Sequence, residues 1–227
     1  MCGRYVSMQP PEALRRIFGT TGVFADLSAR YNIAPTQAVL AVRFNRDTRE
    51  RSLDLLRWGL IPHWAKDPSI GVKLINARAE TITEKPAFRQ AFAKRRCLIP
   101  ADAFYEWKTG TKPKQPYAIS LSDGRPFAFA GLWENWKGPE GIWVRTCTII
   151  TTSANALMVP LHDRMPVILD PVDYGMWLGE EEADQEQILA LLRPFPADRM
   201  KAVPVSRDIN DVRLAEPSLL TPLPELL

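Results

Sequence analysis

The 227-residue chain is 46% hydrophobic and carries a formal net charge of +3. That apolar content supports a core and excludes wholesale disorder, while the small charge excludes a bulk polycation but leaves room for a local basic groove. Twenty prolines against twelve glycines point to many turns and short strands rather than long helices. Residues 11–18 read as a first helix: Pro11 suits the first helical position, and Leu14, Ile17 and Phe18 share a face. Residues 24–37 read as a loop with Tyr31-Asn32-Ile33-Ala34-Pro35 as its fixed point. Val39 to Phe44 and Leu53 to Trp58 are strand candidates joined by the charged turn Asn45 to Arg51. An irregular stretch over 59–73 precedes a helix over 86–95. Strands follow near Cys97–Ile99, Phe104–Trp107, Tyr117–Leu121, Phe127–Trp133, Trp143–Thr151 and Val167–Leu169. Helices over Pro171–Leu178 and Ala183–Leu192, a last strand over Met200–Val205 and an extended tail from about residue 206 complete the chain. Short strands with frequent turn signals predict an α+β fold: an antiparallel, partly closed, barrel-like sheet flanked by a few helices. No repeat or flexible linker divides residues 1–227, which reads as one domain.

No apolar run approaches the roughly 20 residues of a membrane span. The N-terminus also lacks the apolar stretch of a signal peptide. Cys2, Cys97 and Cys147 are an odd, scattered set without metal-site spacing. They imply a reducing, cytoplasmic setting, with Cys97 and Cys147 as buried free thiols.

Several residues carry potential chemistry. Removal of Met1 leaves Cys2 with an amine and a thiol on adjacent carbons. Such an amine forms a Schiff base with an aldehyde, and the thiol then closes a thiazolidine; an internal cysteine cannot do this. Glu106 lies between Tyr105 and Trp107, where desolvation suits a carboxylate to acid–base work, although the outer face of a strand fits equally well. His162, one of two histidines, precedes Asp163-Arg164 on a proline-bounded turn and can shuttle protons near neutral pH, or serve as a hydrogen-bonded structural group. His63 is assigned no role. Asn76 and Arg78 share one face of a short strand-like segment. Arg4, Arg78 and Arg164 can hold phosphates, and Trp64 and Trp107 can stack on bases. With seven tryptophans in the chain, most belong to the core.

Five motifs occur in order: Cys-Gly-Arg-Tyr from Cys2, Tyr-Asn-Ile-Ala-Pro from Tyr31, Leu-Ile-Asn-Ala-Arg-Ala-Glu from Leu74, Phe-Tyr-Glu-Trp from Phe104 and His-Asp-Arg-Met-Pro from His162. Together they resemble the SOS-response-associated peptidase (SRAP) family, over residues 2 to about 220. The resemblance implies binding of single-stranded DNA and covalent capture of abasic sites as a thiazolidine on the N-terminal cysteine, with autoproteolytic removal of Met1. It implies Cys2 as nucleophile, Asn76 orienting the amine or the sugar, and Glu106 and His162 managing protons. Arg78 and Thr151 line the pocket, Arg4 and Arg164 face phosphates, and Trp64 forms part of a wedge at the lesion. A member of that family carries paired aromatics at the wedge where this chain has Trp64-Ala65. No metal or organic cofactor is implied, and the chain is expected to act as a monomer near the nucleoid if bacterial. Glutamine amidotransferases of the N-terminal nucleophile class also begin Met-Cys-Gly, so an N-terminal nucleophile hydrolase or peptidase is the rival reading. A non-catalytic DNA-binding module is a further one.

Overall fold

The computed structural model describes residues 2–21, 28–110 and 112–224. Its strands are β1 (Tyr5–Ser7), β2 (Thr20–Thr21), β3 (Arg30–Ile33), β4 (Ala38–Asn45), β5 (Glu50–Trp58), β6 (Asn76–Arg78), β7 (Arg96–Ala101), β8 (Ala103–Trp107), β9 (Pro116–Leu121), β10 (Phe127–Lys137), β11 (Trp143–Ser153), β12 (Arg164–Pro166), β13 (Ile168–Leu169) and β14 (Met200–Pro204). The helices are α1 (Pro11–Phe18), α2 (Arg89–Lys94), α3 (Tyr174–Leu178) and α4 (Gln185–Ala190).

Five strands close on themselves. β11 pairs with β10, β10 with β7, β7 with β4 and β4 with β5, all antiparallel. β5 then meets β11 in parallel, Arg57 against Thr146 and Trp58 against Cys147. This closed ring leaves no free edge within it. The two-residue strand period sorts its side chains. Val39, Ala41, Leu56, Trp58, Cys97, Ile99, Phe129, Cys147 and Ile149 gather in one buried cluster. Their neighbours Val42, Leu53, Leu98, Ala130, Leu132 and Ile150 join a second, with Phe18, Phe92 and Trp177 from the helices. Gly131 is required on β10, since a Cβ there would lie 2.9 Å from the Cys97 sulfur.

A second antiparallel sheet, in the order β14-β9-β8-β1-β3, carries the N-terminus. Tyr5 pairs with Ile33 on one side and Phe104 on the other. Its ring packs edge-on against Trp58 and Phe129, with centroids 5.5 and 5.8 Å away. The inward residues Tyr5, Phe104 and Ile119 thus extend the barrel's cluster. The outward residues Val6, Ala103, Tyr105 and Ala118 are covered by Ile209 and Leu219 from the C-terminal stretch.

The α+β, barrel-like architecture matches the expectation, and α1 coincides with the expected helix. Cys97 and Cys147 are buried and free, as expected. Other boundaries differ. Within the expected loop 24–37, residues 24–27 lie outside the described residues and Arg30–Ile33 is strand β3, stabilised by pairing with β1. The helix expected over 86–95 is confined to Arg89–Lys94, and the one over Ala183–Leu192 to Gln185–Ala190. The stretch from 206 contains two 3₁₀ turns, Arg207–Asn210 and Pro217–Leu220, with Ile209 and Leu219 buried; its last residues, 225–227, lie outside the described residues.

Candidate active site

Cys2 lies three residues before the start of β1 and is fully buried in the barrel's cluster. Its thiol lies 3.9 Å from the Arg4 carbonyl oxygen. Burial pushes the thiol far above its ordinary pKa, and the Glu106 carboxylate adds to the rise; the charged amino terminus opposes it. Glu106 shares the inward face of β8 with Phe104, which resolves the two orientations open to it in the sequence. Burial raises the Glu106 pKa above the ordinary carboxylate value, while the amino terminus and His162 pull it down. Cys2, Glu106 and His162 therefore lie within one electrostatic neighbourhood.

The turn bearing His162 is fixed at both ends. The His162 N–H donates to the Met158 carbonyl at 2.9 Å, and the Thr109 N–H to the Leu161 carbonyl at 3.3 Å, tying the turn to the end of β8. The Arg164 backbone N–H donates to His162 Nδ1 at 2.9 Å, and an Asp163 carboxylate oxygen lies 2.8 Å from the same atom. A neutral His162 that accepts at Nδ1 carries its proton on Nε2; a protonated one offers its Nδ1 proton to Asp163.

Asn76, Arg78 and Thr151 meet where β6 runs parallel to β11. Asn76 stands beside Ile149, and Arg78 beside Thr151. The segment is held by the Trp58 indole N–H, which donates to the Ile75 carbonyl at 2.9 Å, and by the Leu60 N–H to the Leu74 carbonyl at 3.1 Å. Gly59 makes this approach possible: its φ is +126°, and a Cβ there would lie 2.7 Å from the Gly71 oxygen. The Asn76 amide donates to the Ile149 carbonyl at 3.4 Å, while its buried Oδ1 accepts no hydrogen bond among the described residues. Thr151 is buried, and Arg78 is exposed.

Three other predicted residues are committed elsewhere. The Arg164 guanidinium makes a two-point contact with Glu80, at 2.6 and 2.9 Å, and donates to the Thr151 carbonyl at 2.7 Å. The Arg164 hydrogen bonds hold the Glu80 carboxyl below its usual range. Arg4 faces outward and donates to Asn32 Oδ1 at 2.9 Å and to the Ile209 carbonyl at 3.0 Å. The strand period turns Trp107 away from Glu106; it packs in the outer cluster, its indole N–H donating to Asn210 at 2.9 Å. Trp64, by contrast, is 51% exposed. Ala65 is buried against Trp136, so the loop presents a single outward aromatic.

The family model described as SOS response associated peptidase (SRAP) matches residues 1–212. The chain belongs to the SRAP family. Abasic site processing protein YoqW of Bacillus subtilis (strain 168) is 44% identical over 223 residues, covering 97% of this chain and 99% of that protein. Abasic site processing protein HMCES of Rattus norvegicus is 31% identical, covering 98% of this chain and 76% of its own length. A crystal structure of a protein from Bacteroides thetaiotaomicron superposes with a TM-score of 0.87 at 26% identity, covering 98% of this chain and all of that one. The SRAP scaffold also uses residues that sequence reasoning passed over. Asn32 donates to the carbonyls of Asp211 and Leu214 at 3.0 and 2.9 Å, fastening the C-terminal stretch. Its place in the Tyr-Asn-Ile-Ala-Pro motif was the available signal. Glu80, at the end of the Leu-Ile-Asn-Ala-Arg-Ala-Glu motif, was visible in the same way. Among the described residues no cluster of His, Cys, Asp and Glu could hold a metal ion, and no helix is long and apolar enough to cross a membrane.

Proposed function

We propose that this protein captures abasic sites in single-stranded DNA as a covalent thiazolidine on Cys2, once Met1 has been removed. The observation that carries the reading is the enclosure of Cys2 beside Glu106, itself within the field of His162. The printed names of the relatives, abasic site processing proteins, point to the same substrate. With residues from Cys2 to Leu214 shaping or bracing one site, we take the chain as a single SRAP domain.

The chemistry follows from the two groups on Cys2. An ordinary α-amine titrates at roughly 7.7–8, so a useful neutral fraction exists near pH 7. Its lone pair adds to C1′ of the ring-opened sugar, forming a C–N bond. The carbinolamine oxygen leaves as water after taking a proton from Glu106 or His162, and an iminium remains. The buried thiol is held protonated until that electrophile forms. Its sulfur then bonds to the same carbon, its proton returns to the base, and the iminium π pair settles on nitrogen. The sum joins Cys2 and aldehyde with loss of one water and needs no metal or organic cofactor. Asn76 Oδ1 is an acceptor suited to orienting the amine, and Thr151 lines the pocket. Arg78 is the arginine most available to a phosphate, since Arg4 and Arg164 already donate to protein oxygens.

The test mixes purified protein with single-stranded DNA containing one abasic site, followed by a denaturing gel and mass spectrometry. We expect a stable adduct with the summed mass less one water, made by protein lacking Met1. Cys2→Ala gives none, and Cys2→Ser gives none that survives, because its oxygen closes a more hydrolysable ring. A stable adduct from Cys2→Ala overturns the assignment.

A further inference from the structure

We infer that Asp163 is a positioning residue for the capture reaction: its carboxylate holds the Nδ1 proton of His162 and so leaves Nε2 to take and pass protons in the pocket. This rests on the reading that His162 moves protons while Cys2 captures an aldehyde. Asp163 stands between His162 and Arg164 in the chain. Its Oδ1 lies 2.8 Å from His162 Nδ1, and the Arg164 backbone nitrogen lies 2.9 Å from the same atom. The two contacts demand opposite proton states. The Arg164 N–H is a donor and needs a lone pair at Nδ1, whereas the carboxylate is an acceptor and needs a proton there.

With the Arg164 contact alone, the single proton of a neutral ring sits on Nε2. A neutral imidazole holds that N–H too firmly to act as an acid near neutral pH, and its N–H nitrogen has no lone pair with which to act as a base. Such a ring could donate a hydrogen bond but could not relay a proton. A carboxylate at Nδ1 reverses this. The proton moves to Nδ1, Nε2 carries the lone pair, and the imidazolium formed at Nε2 gives its proton back from that nitrogen. The capture reaction needs this traffic. The adding amine sheds one proton and the thiol another, and the departing oxygen takes two and leaves as water. Because the oxygen leaves before the sulfur closes the ring, its second proton comes from an acid that the thiol then reprotonates.

The backbone holds Asp163 in place. Its carbonyl accepts the Ala154 N–H at 3.1 Å, the His162 N–H before it donates to the Met158 carbonyl at 2.9 Å, and Arg164 after it pairs with Ser153 on β11. The nearest cation in the chain is diverted, because the Arg164 guanidinium makes its two-point contact with Glu80. That leaves the Asp163 carboxylate to the ring. Glu106 on β8 is the other charged group in the field of His162. The Asp163 side chain is 86% exposed, so its replacement leaves the core intact.

The test is Asp163→Asn, which keeps the size and removes the charge. Its NH₂ joins the Arg164 N–H as a donor to Nδ1 and holds the ring proton on Nε2. Single-turnover adduct formation at saturating abasic-site single-stranded DNA is expected to slow by roughly 10²- to 10⁴-fold, the range for a lost acid–base group and, at its upper end, for the same change in a Ser-His-Asp triad. Asp163→Glu should recover part of the rate. Reversible affinity, measured with Cys2→Ala added, should not fall, since one negative charge fewer favours a polyanion. On a His162→Ala background Asp163→Asn should add nothing. Ring-nitrogen NMR reads the tautomer directly: the chain has two histidines, and His162→Ala assigns the signals. The proton is expected on Nδ1 in the wild type and on Nε2 in Asp163→Asn. An unchanged rate, a slowing as large on the His162→Ala background, or the same tautomer in both proteins overturns the assignment. A wild-type protein that forms no adduct removes the proposed chemistry, and the tautomer spectra then decide the role of Asp163 by themselves.

Discussion

Cys2 and Trp64 belong to opposite kinds of surface on one barrel. Cys2 is enclosed, its thiol raised by burial and its neighbours Glu106 and His162 supplied by β8 and by the turn before β12. Trp64 is open to solvent; beside it the His63 ring meets Glu134 and the Ala65 carbonyl accepts from Trp136, while its own indole N–H reaches the Pro86 carbonyl at 3.5 Å. The enclosed region is suited to chemistry that needs a controlled proton inventory. The open one is suited to reversible contact with a partner of variable sequence. If the division is right, substitutions in the first region change the rate of covalent capture, and substitutions in the second change affinity.

The largest expected effect comes from blocking the Cys2 amine. Acetylation, or a fixed tag ahead of Cys2, converts the amine nitrogen to an amide whose lone pair is delocalised into the carbonyl. The adduct should vanish from denaturing gels, while the same tag after Leu227 leaves it intact. An adduct formed by acetylated protein makes another residue the nucleophile. Next comes Glu106→Gln, expected to slow crosslinking at saturating DNA by roughly 10²- to 10⁴-fold with little change in affinity. An unchanged rate returns Glu106 to a structural role.

The same substitution has a second signature with the opposite sign. A carboxyl whose folded-state pKa is raised stabilises the fold only while protonated, and that contribution is lost as pH rises through the raised value. Glu106→Gln should therefore melt above the wild type at neutral pH. The gain should shrink as pH falls toward the ordinary glutamate value of about 4.3. Thermal scans at several pH values check this, and a pH-independent difference in Tm refutes the desolvated carboxylate.

Asn32→Ala tests whether the enclosed region depends on its remote brace. It strands the Asp211 and Leu214 carbonyls and should cost about 1–3 kcal/mol in urea unfolding. The smallest effects concern single phosphates. Arg78→Ala should flatten the salt dependence of reversible binding by about 0.7. Arg164→Ala should flatten it less, because Glu80 already neutralises that guanidinium. Equal slopes for the two variants would place Arg164 on the DNA after all.

Much of this was legible in the chain. The longer barrel strands announce themselves by β-rich, turn-bounded runs, and the five motifs mark the site's parts. What could not be read was which face a side chain takes once pairing is fixed. Glu106 and Trp107 are adjacent, yet one faces the pocket and the other the C-terminal stretch, and only the pairing of β8 with β1 and β9 decides which. The strands β1, β3, β6 and β12 have three or four residues each, too few for a periodic signal, and exist because distant partners hold them. The Arg164–Glu80 pair spans 84 residues of sequence, so two charges that read as separate surface groups turn out to cancel.

The contact from Arg4 to the carbonyl of Ile209 spans 205 residues. During synthesis the first residues leave the ribosome long before that partner exists. At about 5–20 residues per second, roughly 10–40 s pass before residue 209 is added. β8 is made about half-way through that interval and the His162 turn later still, so until then the N-terminus has no pocket to enter. Any removal of Met1 has this interval in which to occur, and residues 209–214, made late, fasten the sheet that carries Arg4, made early.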